Sequence, residues 1–236
     1  GVVLRKGDHF YSVWVIDEFF DELGYVSMEV QSDGEPALVS LLRQAFAARV
    51  KRVGADAAAT QIRLRLSPEE SHASQGSAES GIKSVAGLTR TARLAIERRF
   101  NVKISEDMAI VPWMVRHQLF CHNRFQRRRS SGRTPFEELR MAPYRSPMLE
   151  FGEIVVGKDK VELRDKMGTA WCKGVWLGRS RINDAHIIGT ETGVELCRTV
   201  RALPRVEDSD VEQFKAMKWT PWKQSMKDAV FKDDED

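Results

Sequence analysis

Apolar residues first recur at helical spacing at Phe10, Val13, Trp14, Phe20 and Leu23, and Gly24 behind them supplies a helix stop. Alternation over 26–30 predicts a strand ending at Asp33, and Leu38, Leu41, Leu42 and Phe46 predict a helix over 36–49. Residues 61–66 alternate again, and 1–5 read as the end of an earlier strand. After a polar stretch, 67–75, and Gly76, the positions Ile82, Val85, Thr89, Ala92 and Ile96 mark one face of a helix predicted to begin near Ser77. Strands alternating with helices argue an α/β domain. Over 108–125 the apolar positions Ile110, Trp113, Met114, Leu119, Phe120 and Cys121 predict one or two packed helices. Residues 130–135 read as a turn, then Thr134 as an N-cap and Pro135 as the first residue of a short helix. From Phe151 the texture changes to short β-like runs broken by Gly, at 153–156, 161–163, 174–177, 186–189 and 195–200, the pattern of a small barrel. Beyond Pro204 no core periodicity continues, so the tail is expected to be flexible. The expected organisation is a core over 1–105, a helical extension with a basic linker over 106–148, a small barrel over 149–205 and an acidic tail over 206–236.

A chain of 236 residues, 42% hydrophobic, can bury a substantial core. No apolar run reaches the roughly 18 residues of a membrane helix, and the first residues, starting at Gly1, do not resemble a signal peptide. The chain reads as a fragment or processed piece. Three widely spaced cysteines, Cys121, Cys172 and Cys197, argue against a disulfide framework and for a reducing compartment. The net charge of +3 conceals an asymmetry, because residues 206–236 carry 9 acidic and 5 basic side chains. The body is therefore basic, which suits an anionic partner such as nucleic acid.

Asp33, at the carboxyl end of its predicted strand, occupies the position where open α/β sheets place their chemistry. Glu79 falls in the first turn of the next long helix, and Lys83 and Arg90 project from the same side. Taken alone, such a Glu and Lys pair is an ordinary surface pair. His117, Cys121 and His122 include soft-metal ligand types, but a structural zinc site needs four and no fourth is near, so helix packing is the better reading. Arg124, Arg127, Arg128 and Arg129 make the densest basic cluster, which reads either as a solvated face or as a contact to a nucleic-acid backbone. Trp171 and Trp176 read as barrel core or as a rim platform, and Lys173, Arg179, Arg181, Arg198 and Arg201 as candidates to face nucleic acid or as solubilising charges.

The segments SDGEPAL at 32–38 and SQGSAES at 74–80, in that order, resemble the integrase catalytic core of retroviruses and long-terminal-repeat retrotransposons. The resemblance continues through Pro112, Trp113 and His117, then Asn123, Arg124 and Phe125, GRTPFEEL at 132–139, and Phe151, Gly152 and Glu153. It extends over Trp176, Leu177 and Gly178, Gly193 and Val194, and 198–201, which are similar to the region after the core in copia-like elements. It implies a ribonuclease H-like core, incomplete at its amino terminus, then a helical linker and an SH3-like barrel. Asp33 matches the second Asp and Glu79 the Glu of the family's Asp, Asp, Glu triad. The 45 residues between them exceed the usual spacing, and loops tolerate such insertion cheaply.

The implied chemistry is phosphodiester cleavage and strand transfer with two Mg²⁺ or Mn²⁺ ions, which prefer oxygen ligands. Lys83 and Arg90 would contact phosphates, and Gly76 would let the preceding loop flex. Implied partners are element ends, target DNA and further copies of the chain, with no membrane, in the nucleus and cytoplasm. The family's first Asp lies on an opening strand ahead of this chain's start. Asp8 reads as a helix cap and Asp17 lies inside a helix, so neither replaces it. The expectation is a chain that is catalytically dead or severely impaired. The alternatives are a non-catalytic DNA-binding relic or domesticated protein, and a protein-interaction module.

Overall fold

The computed structural model describes residues 9–25, 27–32, 34–54, 61–66, 72–158, 171–203 and 208–225. The chain divides into two units, 1–84 and 85–236, the division falling inside a long helix.

The first unit opens with α1 (Phe10–Leu23), β1 (Ser27–Ser32), α2 (Pro36–Val53) and β2 (Gln61–Leu66). Gly24 ends α1 in the left-handed conformation, φ 67°. The α1 cap is His9, whose Nδ1 accepts from the Tyr11 amide at 3.3 Å, while Asp8 lies outside the described residues. Pro36 at the first position starts α2, where its missing N–H costs nothing. β1 and β2 pair in parallel from Ser27 opposite Gln61 to Ser32 opposite Leu66. Parallel neighbours need a long crossover, and α2 provides it.

α1 packs on α2 through Phe20 against Phe46, with ring centroids 5.7 Å apart, and through buried Leu42 and Ala45. Buried Asp17 accepts from Arg49 at 3.2 Å and from Arg52 at 2.7 Å, and Asp21 accepts from the same two guanidiniums. Burial alone would raise the Asp17 pKa, but the hydrogen bonds from Arg52 and Arg49 outweigh it and hold the carboxyl below its usual range. Its carboxylate is thus fully engaged between two helices. Asp17→Asn is expected to cost about 2 kcal/mol, with Asp21 retaining part of the network. Urea unfolding at pH 7 checks this.

The long helix α3 (His72–Phe100) starts earlier than the pattern predicts. Gly76 lies within it, not in a flexible loop, because one glycine costs only about 1 kcal/mol against the propagation of a long helix. Ile82 is 70% exposed, so the apolar stripe is buried only from Val85 onward.

The second unit contains the rest of α3, α4 (Ile110–Phe125), α5 (Pro135–Arg140), β3 (Ile154–Lys158), β4 (Trp171–Arg179), β5 (His186–Gly189), β6 (Val194–Cys197), β7 (Thr199–Ala202) and α6 (Asp208–Ala216). Thr134 caps α5 as its sequence implies, in a reciprocal box with Glu137. The expected strand over 161–163 lies outside the described residues. The strands form one antiparallel sheet in the order β6-β5-β4-β3-β7.

β6 and β7 are opposite edges of that sheet, yet only Arg198 separates them in the chain. The sheet must therefore coil until its edges meet at that corner. Among the described residues no ladder joins the two edges, so the expected barrel is an open one, and the single strand read over 195–200 is two. The coil encloses Val155, Trp176, Ile188 and Cys197. Its other face packs on the helices through Ile154, Val175 and Leu177 against Ile96, Trp113 and Met114.

The tail corrects an expectation. Residues 208–225 pack into this core: Phe214 stacks on Phe100 at 4.6 Å, Trp113 Nε1 donates to the Trp219 carbonyl at 2.8 Å, and Trp219 Nε1 donates to the Thr190 carbonyl at 2.8 Å. Apolar spacing is uninformative here because the anchors sit on a nine-residue helix and an irregular turn. Residues 226–236 lie outside the described residues.

Candidate nucleic-acid interface

Asp33 lies outside the described residues, so the structure gives no distance between it and Glu79. Glu79 and Lys83 are exposed on α3 in the first unit, and Arg90 is exposed on the part of α3 in the second. Among the described residues no three His, Cys, Asp or Glu side chains converge to hold a metal ion.

The basic cluster divides on folding. Arg124 is buried, its guanidinium centred 3.7 Å over the Phe120 ring, 4.9 Å from Phe136 and 5.3 Å from Tyr144. Those aromatic faces attract the cation by their quadrupoles and shield it from solvent. Arg124 therefore packs α4 against α5 and is withdrawn from the surface set. The other three stay exposed on a loop closed by backbone hydrogen bonds between Arg128 and Arg133 and between Gly132 and Arg128, both at 2.9 Å. Arg128 pairs with Glu138 at 2.9 Å, Arg127 donates to the Gly132 carbonyl at 3.2 Å, and Arg129 has no acidic partner among the described residues. Arg133, Arg140 and Arg145 add exposed positive charge along the same stretch.

A second basic surface lies on the sheet. Cross-strand register sets Lys158 between Trp171 and Thr199, and Val156 between Lys173 and Arg201, on one face. Trp171 is 38% exposed and the Arg201 guanidinium stands 5.2 Å from its ring. Trp171 is thus the rim residue, whereas Trp176 is wholly buried. Lys173 is ion-paired with buried Asp210 of α6. Buried Arg179 is committed to the Pro147 and Asp184 carbonyls at 2.7 and 2.6 Å and cannot face a ligand. Lys158 is absent from the sequence-based candidates, and the cross-strand pairing with Trp171 and Thr199 is what places it on this face.

His117 is buried in the core and Cys121 lies partly buried beside it. The His117 ring stacks on Phe151 at 5.1 Å and meets Trp176 edge-on at 5.3 Å, and its Nε2 lies 3.3 Å from the Cys121 Sγ. Burial lowers the His117 pKa to about 4 and raises the Cys121 thiol to about 11, the latter against the opposing charge of Arg124. Gly178, at φ +118°, is required opposite them, since a Cβ there would stand 2.9 Å from His117 Nδ1.

No helix among the described residues is long and apolar enough to cross a membrane. No protein-family model matches the sequence, and no curated protein does. Among solved structures, one neighbour is the simian T-cell lymphotropic virus intasome in complex with PP2A regulatory subunit B56 gamma, at a TM-score of 0.39 and 14% identity. The match covers 85% of this chain and 66% of that one, just under two thirds of its length.

Proposed function

We propose that this chain is an integrase-like DNA-binding protein, which engages the nucleic-acid backbone through the second unit. The observation that carries the reading is the sheet face on which Arg201 overlies exposed Trp171 beside Lys158. Cations beside an aromatic plane suit a strand whose phosphates need neutralising and whose bases can stack. The exposed arginines of 127–129 provide a further contact set of sequence-independent kind. The ordered motifs from SDGEPAL to the 198–201 segment favour an integrase over an unrelated binding module, and with it self-association on DNA.

Within that reading Asp33 and Glu79 would hold the divalent ions. Their carboxylates are hard oxygen donors of the type Mg²⁺ and Mn²⁺ select. When bound, the ions would activate the attacking oxygen and neutralise charge on the departing one. Lys83 would contact a phosphate near Glu79, and Arg90 would contact phosphate from the second unit. If no metal binds, the same surfaces support the second reading, a DNA-binding protein without catalysis.

Fluorescence anisotropy of labelled DNA against salt tests the proposal. The wild-type chain is expected to show binding that falls linearly with salt on logarithmic axes. Replacing Arg127, Arg128 and Arg129 together with Ala is expected to reduce the slope by roughly 0.7 to 0.9 for each phosphate that is no longer neutralised. Trp171→Ala is expected to weaken single-strand binding by about 1 to 3 kcal/mol with little change in slope. Absence of salt-sensitive binding would leave the interaction-module reading in its place. Mn²⁺ titration of the wild type and Glu79→Gln decides the metal question separately.

A further inference from the structure

The inside of the coiled sheet brings together two thiols from strands that are not neighbours. Cys172, near the start of β4, and Cys197, the last residue of β6, have their Sγ atoms 3.9 Å apart although β5 lies between their strands in the sheet order. The approach depends on coiling and on Gly157. That glycine is the β3 partner of Cys172, and a Cβ on it would stand 2.7 Å from the Cys197 Sγ and 2.2 Å from the Ile188 Cδ1. With no side chain there, the Cys197 sulfur occupies the space. Cys197 is buried among Val155, Trp176 and Ile188, while Cys172 is half-buried at the margin of that cluster. A small reagent therefore meets Cys172 first. Cys121 belongs to a different environment, on α4 beside His117.

We propose that Cys172 and Cys197 are a redox modification site, forming a reversible intramolecular disulfide by exchange with a low-molecular-weight disulfide. The Cys172 thiol loses its proton and its sulfur attacks the reagent, giving a mixed disulfide and releasing one reagent thiol, which takes up that proton. Cys197 then attacks the Cys172 sulfur, its own proton leaving with the second reagent thiol. The two cysteines are oxidised and one reagent disulfide is reduced to two thiols. The sulfurs need to close by about 2 Å, within reach of side-chain rotation and a small strand adjustment. The product ties β4 to the corner between β6 and β7, where the ladder is open, and closes a span of 25 residues.

The test incubates the full chain with oxidised glutathione at graded ratios to reduced glutathione, alkylates remaining thiols, and maps tryptic peptides. Cuts at Lys173 and Arg179 separate the two cysteines, so the bond appears as linked peptides. The expected result is loss of two hydrogens in the monomer, a Cys172–Cys197 link, an alkylated Cys121, and a melting temperature about 5–10 °C higher that returns on reduction. Cys172→Ser and Cys197→Ser should each abolish the link, and Cys121→Ser should leave it. A glutathione adduct that persists on Cys172, a link through Cys121 or between chains, or no reaction at any ratio would overturn the proposal, and because these are read on the wild-type chain they do not depend on a variant folding.

Discussion

A chain ending at 207 loses cooperative unfolding of the unit that starts at Val85. The deleted residues include Phe214 and Trp219, both almost wholly buried, and Met217, all packed in or against the main core. Truncating one large buried side chain costs about 3–5 kcal/mol. Here several go together, and Trp113 Nε1 and the Thr190 carbonyl lose their partners as well, at about 1–3 kcal/mol for each buried group left unpaired. The sum, roughly 10–20 kcal/mol, is as large as the roughly 5–15 kcal/mol that a domain has available. Circular dichroism and tryptophan fluorescence on heating are expected to show no sigmoidal transition for this unit. A truncation at 207 that melted normally would show that the docking of α6 and the Trp219 turn is incidental. Trp219→Ala provides the graded version, a loss of about 3–5 kcal/mol in urea.

Acid weakens the same unit over a window that precedes carboxylate titration. His117 and His186 are both buried, and both pKa values lie at about 4, lowered by burial and, for His186, further by Arg179 against the opposing charge of Asp184. The unfolded chain takes up a proton at each near pH 6.5, and the folded one does not until about pH 4, so stability is full above 6.5 and falls as pH drops through this interval. Each histidine accounts for a loss on the order of 2–3 kcal/mol by pH 4. The structural consequence is specific. Trp176 Nε1 donates to His186 Nδ1 at 3.0 Å, so a proton on that nitrogen removes the acceptor and leaves a wholly buried indole N–H unpaired. Urea midpoints between pH 7 and 5 are expected to fall steadily, and His186→Asn, which offers an acceptor and does not titrate, should flatten the slope by about half. Equal midpoints at pH 7 and 5 would contradict the buried neutral pair.

How far the sequence carries depends on whether a signal is local. The helices α1, α2 and α4, strands β1, β2 and β5, the Gly24 stop and the Thr134 box all follow from periodicities and caps that span a few residues. Arg124 departs from its expected surface role for the opposite reason. It belongs to a run of like charges, and besides Phe120 on its own helix the rings that enclose it are Phe136 and Tyr144, which fold back from 12 and 20 residues on. The tail departs likewise, because Trp219 finds its partner Trp113 at a separation of 106 residues.

The candidate site shows the same division. Residue chemistry and order nominated Asp33, Glu79 and the basic residues, and the alternating pattern established an α/β beginning and a β-rich second half. Folding decided which arginines face solvent, that Trp171 and not Trp176 lies at the rim, and that Cys172 and Cys197 meet inside the sheet. The last of these depends on coiling of a five-stranded sheet whose edge strands are one residue apart, and the burial of Arg124 on α5 and Tyr144 folding back onto α4. Burial is a property of what returns across the chain, and periodicity along it records only which face is ready to be covered.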